Sequence, residues 1–139
     1  MREPRLSRML LEAFRALDEE VEAALRDRGL DLRPTQARAL LLVDRTGTRL
    51  TELALRARLT KQRMMQVVDE LEGAGLLRRA PDPTDARAKV VKPTARGLRS
   101  RAEVRRAMAS VESRVRRQLG ERRFRSLTAA LVELTGGRI

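Results

Sequence analysis

The sequence predicts a mainly α-helical fold with one small β-hairpin, and three observations carry that prediction. Apolar residues recur at the three-and-four spacing of a helix face over most of the 139 residues. Between residues 76 and 92 the pattern shifts to two short strand-like runs around a polar loop with two prolines. No internal repeat, Pro-rich linker or low-complexity tract divides the chain, whose length suits a single domain.

The elements follow in order. Leu6, Met9, Leu10, Phe14, Leu17, Val21 and Leu25 mark one face of a long first helix that stops at Gly29. Pro34 suits the first turn of a second helix, with Ala37, Leu40 and Leu41 inward, and the stretch 44–48 reads as a turn. Thr51 is expected to cap a third helix running through Arg58, with Leu53, Ala54 and Ala57 inward. Thr60 is expected to cap a fourth, with Met64, Val67, Val68 and Leu71 on one face and Gly75 ending it in the left-handed conformation. Leu76–Ala80 and Ala88–Lys92 read as strands joined by the loop 81–87. Thr94 suits the cap of a fifth helix, marked by Leu98, Ala102, Met108, Val111, Val115 and Leu119. A sixth, near 121–135, carries Phe124, Leu127, Ala130, Leu131 and Leu134.

Composition narrows the function. The net charge of +12 and a pI near 11.6 make a polyanion the leading partner, nucleic acid before an anionic membrane. The first 32 residues sum to −2, residues 33–92 to +6 and the remainder to +8. Only Lys61, Lys89 and Lys92 are lysines; so strong a bias to arginine also fits a GC-rich genome, and the arginine count alone carries no argument. The absence of Cys, His, Trp and Tyr excludes thiol redox sensing, zinc sites with His or Cys ligands and imidazole acid–base catalysis. No nucleophile–base spacing, glycine-rich phosphate loop or metal motif stands out, so neither an enzyme nor a cofactor is expected. No apolar run approaches the roughly 18 residues of a spanning helix, and the first residues lack a signal-like apolar stretch. A cytoplasmic location without a membrane partner is the expectation.

Two short capped helices in tandem followed by a basic hairpin form a device for reading duplex DNA, because a helix fits the major groove while a hairpin tip reaches the adjacent minor groove. On the fourth helix Thr60, Lys61, Gln62, Arg63 and Gln66 offer donors and amides to base edges, and Met65 an apolar contact for a thymine methyl. On the hairpin Arg87 is the expected groove or phosphate probe, with Asp85 orienting its guanidinium and Lys89 adding a backbone contact. Against these stand blander readings: a polar helix face is often only solvated, and Asp82 with Asp85 lacks the third ligand a metal needs. The Arg-rich fifth helix is a solvated face, a second phosphate-binding surface or the complement of Glu12, Asp18, Glu19, Glu20 and Glu22 on the first helix. The last of these readings is favoured.

The run LTELALRARLTKQRMMQVVDELEGAGLLRRAPDPTDARAKVVKPTARG, residues 50–97, resembles the winged helix–turn–helix core of the MarR family of bacterial transcriptional regulators. The specific parts are VVDELEGAGLL at 67–77, the wing signature Asp82-Pro83-Thr84-Asp85-Ala86-Arg87-Ala88, and Thr94-Ala95-Arg96-Gly97. The resemblance implies a DNA-binding core at 33–92, with 1–32 and 93–139 forming a helical dimerisation region. It also implies that the helix from Thr60 to Ala74 is the recognition helix and that Arg87, supported by Asp85, is the wing arginine. Ala86 stands where a second arginine is frequent, Arg58 where a turn glycine is frequent and Pro93 where leucine is usual. Gly73 is unusual inside a recognition helix.

The expected protein is a transcriptional regulator, a repressor by the family's commoner mode. It would bind double-stranded DNA as a homodimer through Leu6, Met9, Leu10, Leu127, Leu131 and Leu134, on a pseudo-palindromic operator. A small-molecule effector, unidentified, is a further partner the family implies; lacking Tyr, His and Trp, its pocket would rely on Arg, Met and aliphatic surface and respond weakly to salicylate-like aromatics. The alternatives are a low-specificity nucleoid or RNA-binding protein and a winged-helix protein-interaction module.

Overall fold

Six helices and one antiparallel hairpin follow the predicted order in the computed structural model, which describes residues 5–138: α1 (Arg5–Asp27), α2 (Pro34–Leu42), α3 (Leu50–Ala57), α4 (Lys61–Gly73), β1 (Leu77–Asp82), β2 (Asp85–Pro93), α5 (Ala95–Leu119) and α6 (Glu121–Leu134). Gly29 and Gly75 take the positive φ expected of helix-ending glycines. One core joins the terminal helices to the middle of the chain. Leu25 of α1, Leu40 of α2, Leu53 of α3 and Val104 of α5 are fully buried together with Met64, Val67, Val68 and Leu71 of α4. Each such leucine contributes about 1.5–3 kcal/mol by leaving water. The segments 1–32 and 93–139 therefore share a core with 33–92 and are not a separate layer.

Local expectations were met unevenly. Thr60 and Thr94 are N-caps, their hydroxyls accepting from Arg63 N at 3.1 Å and Gly97 N at 3.0 Å. Thr51 is not a cap: α3 starts one residue earlier, behind an extended Arg49. The cause lies upstream, where Thr48 exchanges two backbone hydrogen bonds with Val91 (2.9 and 2.8 Å), so the chain leaves this bridge and enters the helix at once. The stretch read as a turn thus ends in a third strand contact beside β2. On α5 the buried face is Gly97, Ser100, Arg101, Val104, Ala107 and Val111, whereas Ala102, expected inward, is exposed. Two polar residues on that face mask it.

The hairpin is longer than predicted, with only Pro83 and Thr84 outside the strands in place of a seven-residue loop. The Asp82 carboxylate closes the turn by accepting from the Thr84 amide and hydroxyl, both at 2.8 Å. Pro81 is tolerated because β1 is the edge strand and the register shifts between Pro81 and Asp82.

The return from the hairpin is the tightest junction in the fold. Thr94 donates its amide to Leu76 O at 3.1 Å and its hydroxyl to Gly75 O at 2.6 Å. One turn into α5, a Cβ on Gly97 would stand 2.0 Å from the same Leu76 oxygen. Backbone meets backbone there, so nothing flexible can yield. Gly73, by contrast, has open space around it. Gly97→Ala is expected to cost about 3 kcal/mol or more, and Gly73→Ala to gain up to about 1 kcal/mol from helix propensity; urea unfolding midpoints of the two variants measure both.

Candidate nucleic-acid interface

Helix α4 is divided by its own periodicity. Met64, Val67, Val68 and Leu71 fill the core, which turns Lys61, Gln62, Met65 and Gln66 to solvent beside the exposed cap Thr60. Met65, at 43% exposure, is a large apolar side chain with no packing role that explains its position. Arg63 is half-buried and donates from Nη1 to Gln66 Oε1 at 2.7 Å, so two of the predicted base-reading side chains are already bonded to each other. The turn into this helix passes through Arg58 at φ +54°, the one non-glycine at positive φ among the described residues. A side chain in that conformation costs about 1–2 kcal/mol, which accounts for the glycine frequent there in the family the sequence resembles.

On the hairpin, Asp85, Arg87 and Lys89 are all exposed. Asp85 does not hold the Arg87 guanidinium, as the sequence reading expected. Its Oδ1 accepts from the Arg87 backbone amide at 3.0 Å, and its Oδ2 lies 3.8 Å from Arg49 Nη2. The spacing of two residues favours this local bond, since the carboxylate reaches the amide before it can reach the end of a long side chain. The Arg87 and Lys89 side chains have no carboxylate partner among the described residues, leaving both charges available to a ligand.

Two arginines that sequence reasoning missed fix the hairpin relative to α4. Arg79 of β1 bridges Asp69 (2.7 Å) and Glu72 (3.0 Å) on α4. Arg49 Nε donates to Asp82 Oδ2 at 2.8 Å, tying the hairpin turn to the start of α3. Neither gives a local signal, because each partner lies on another element. The ion-pair ladder expected between α1 and α5 is mostly absent. Of the five acids named, only Glu20 reaches α5, at Arg114, and a reversed pair joins Arg28 to Glu103 at 3.2 Å. Asp18 turns to Arg38 of α2 instead (2.8 Å), while Glu12 and Glu22 pair within α1.

Between α1, α2 and α3 lies a cleft of about 740 Å³ whose walls include Phe14, Arg38, Leu41, Leu42, Arg56 and Leu59. Arg38 is bound by Asp18 and stands 5.4 Å from the Phe14 ring centre, and Arg56 pairs with Asp44 (3.0 Å) and Glu52 (3.2 Å). Its lining is mostly apolar: Arg38 and Arg56 are paired with carboxylates, Arg58 at the rim has no carboxylate partner among the described residues, and Phe14 supplies an aromatic wall. The leucines assigned to a dimer interface are left open: Leu6 and Leu134 are each 60% exposed, Met9, Leu10 and Leu127 are exposed, and Leu131 is half-buried. Leu11, Phe14, Leu17 and Val132 extend the same kind of surface. Among the described residues no helix is long and apolar enough to cross a membrane.

A helix–turn–helix with a hairpin wing braced against its second helix defines a winged helix–turn–helix fold. Comparison with known proteins points to one family: residues 30–88 match the model of the MarR family. The transcriptional repressor CouR, solved on a 23-mer DNA duplex, is 26% identical with a TM-score of 0.81, covering 97% of this chain and 98% of its own. CouR from Rhodococcus jostii RHA1 bound to p-coumaroyl-CoA is similar at 24% identity and TM-score 0.77, covering 93% of this chain and 90% of its own. The S. aureus MepR–DNA complex shares the fold at 19% identity and TM-score 0.78, covering 98% of each chain. Nothing among curated protein sequences matches the chain.

The Asp82 carboxyl is held down to about 2, from an ordinary 3.8, by the Thr84 amide, the Thr84 hydroxyl and the Arg49 guanidinium. A carboxyl depressed in the folded state contributes stability that is full above its unfolded value and lost as pH falls through its folded one. The wing is therefore expected to loosen between about pH 3.8 and 2. Asp82→Asn should remove that part of the acid dependence, as read from unfolding midpoints across the same range.

Proposed function

We propose that the chain is a sequence-specific transcriptional repressor that binds a pseudo-palindromic operator as a homodimer. In this reading Thr60, Lys61, Gln62, Arg63, Met65 and Gln66 enter the major groove, while Arg87 reaches the minor groove and Lys89 a phosphate. Asp85 holds the Arg87 backbone. The observation that carries the reading is the division of α4: one face is locked into the core by four fully buried residues, and the other presents amides and cations to solvent beside a braced wing with two unpaired cations. The CouR relative on duplex DNA supports it by likeness over nearly the whole chain.

Homodimerisation is supported by the run of large apolar side chains that α1 and α6 leave uncovered, Leu6, Met9, Phe14 and Leu134 among them. A two-fold dimer sets its recognition helices about one DNA turn apart, hence half-sites about 10 bp apart, centre to centre. The cleft between α1, α2 and α3 is the proposed effector site. The CouR relative that holds p-coumaroyl-CoA supports an effector, and the apolar walls favour a ligand with an apolar body.

The test is selection of duplexes from a random pool, followed by anisotropy of the selected duplex and a shuffled one at low and near-physiological salt. The repressor reading expects a two-fold-related motif and a preference of about a thousandfold or more at the higher salt. Sequence-indifferent, salt-fragile binding would instead establish the nucleoid-type alternative, and no binding the protein-interaction alternative.

Two substitutions sharpen the test. Arg63→Ala is expected to cost about 1–3 kcal/mol on the selected duplex and relax one base position, whereas Lys89→Ala weakens all duplexes alike and lowers the salt slope by about one. Leu131→Glu is expected to give monomers in sedimentation and to weaken operator binding by about a hundredfold through lost bivalency; unchanged sedimentation would refute the interface.

A further inference from the structure

Arg101 is a cation in the wrong place for stability. It lies on the core face of α5, 7% exposed, and no carboxylate among the described residues bonds it. Its Nε donates to Leu40 O at 2.9 Å and its Nη2 to Val43 O, both at the C-terminal end of α2. Burial, with Arg105 and Arg45 nearby, pushes its pKa below the usual guanidinium value. Burying an unpaired charge is expensive, and an apolar side chain of similar volume would fill the space at less cost. What the guanidinium supplies instead is geometry, because its planar fork fixes two carbonyls at once.

Those carbonyls need a partner. The last four carbonyls of a helix have no acceptor role inside it, and the last turn of α2 holds no basic residue of its own. Arg56 of α3 takes Leu42 O at 3.0 Å and the Asp44 carboxylate, so arginines from two other helices together close the end of α2.

The chain leaving this point leads straight to the wing. Asp44 N donates to Thr48 Oγ1 at 2.8 Å, Gly47 N to Asp44 O at 3.0 Å, and Thr48 pairs in both directions with Val91 of β2. The next residue, Arg49, holds Asp82 at the wing turn. Five residues thus connect the carbonyl that Arg101 grips to both the base and the tip of the hairpin.

We infer that Arg101 is a positioning residue for DNA binding, through which α5 sets the wing and hence the reach of Arg87. The inference rests on the proposed role of Arg87 in the wing. A shift of α5, which runs on from the wing into the surface proposed for dimerisation, is transmitted along the Val43–Thr48 segment to β2. Loss of the fork leaves α4 and its base-facing side chains in place and frees the hairpin.

The test is a double-mutant cycle on the selected duplex with Arg101→Met and Arg87→Ala, alone and combined, alongside amide exchange of the free protein. Arg101→Met is expected to weaken binding about tenfold when Arg87 is present and less than about twofold when it is absent, since only neighbouring or coupled residues depart from additivity. In the same variant the Thr48 and Val91 amides should exchange about tenfold faster, with the core amides of α4 unchanged. Equal losses in both backgrounds, or unchanged exchange at Thr48 and Val91, overturn the inference. Should Arg101→Met not fold, Arg101→Lys carries the same cycle, because an ammonium keeps the charge at the helix end without the two-carbonyl fork. An Arg87→Ala chain that binds as tightly as the unmodified one overturns the wing reading itself, and that result is distinct from additivity.

Discussion

Everything at the surface of this protein depends on the complete burial of one stripe of α4. Met64, Val67, Val68 and Leu71 are enclosed by Leu25 of α1, Leu40 of α2, Leu53 of α3 and Val104 of α5, so every helix but the last holds α4 directly or at one remove. A helix so held has neither rotational nor sliding freedom, because protein interiors are packed as densely as molecular crystals. The orientation of Lys61, Gln62 and Gln66 is a consequence of that packing and not of any contact they make. The same core joins the terminal helices to the winged part of the chain.

The arginines divide into two populations that the net charge of +12 conceals. One population is internal bracing: Arg79 binds the wing to α4, Arg49 the wing turn to α3, Arg38 joins α2 to α1, and Arg56 and Arg101 close the end of α2. The planar guanidinium suits this work because its fork holds two acceptors of another element at once. The other population, with Arg87 as its clearest member, has no acceptor among the described residues and faces water. Exposed ion pairs contribute little to stability, so the bracing set matters mainly for where it places the hairpin.

Features governed by neighbouring residues were legible in the sequence. The caps Thr60 and Thr94 follow from hydroxyls acting within one turn, and the left-handed Gly29 and Gly75 from the missing Cβ at those positions. Features governed by distant partners were not. Thr51 looked like a cap because nothing nearby showed that Thr48 bonds Val91, 43 positions on. The hairpin looked loop-rich because Pro81 and Pro83 read as breakers, whereas the Asp82 side chain closes a two-residue turn. Arg101 sat at core spacing between Gly97 and Val104, and that position was a usable signal. Its charge hid it among the other arginines of α5. Asp85 was expected at the Arg87 guanidinium but bonds the Arg87 backbone amide instead, because its carboxylate reaches that local amide first. The apolar positions of α1 and α6 were visible as a helical pattern.

The junction at Thr94 has a consequence for how such a protein can change. Because Thr94 bonds back to both Gly75 and Leu76, the two ends of the hairpin are fastened at one point, and Gly97 presses α5 against that same point. The chain from Leu77 to Pro93 is therefore a detour that begins and ends in the same place. Its outer part can lengthen, shorten or change sequence without altering the angle between α4 and α5. Variation in the reach of the wing is thereby uncoupled from the scaffold, and a lineage can retune its grip on a new target while the packing that folds it stays as it was.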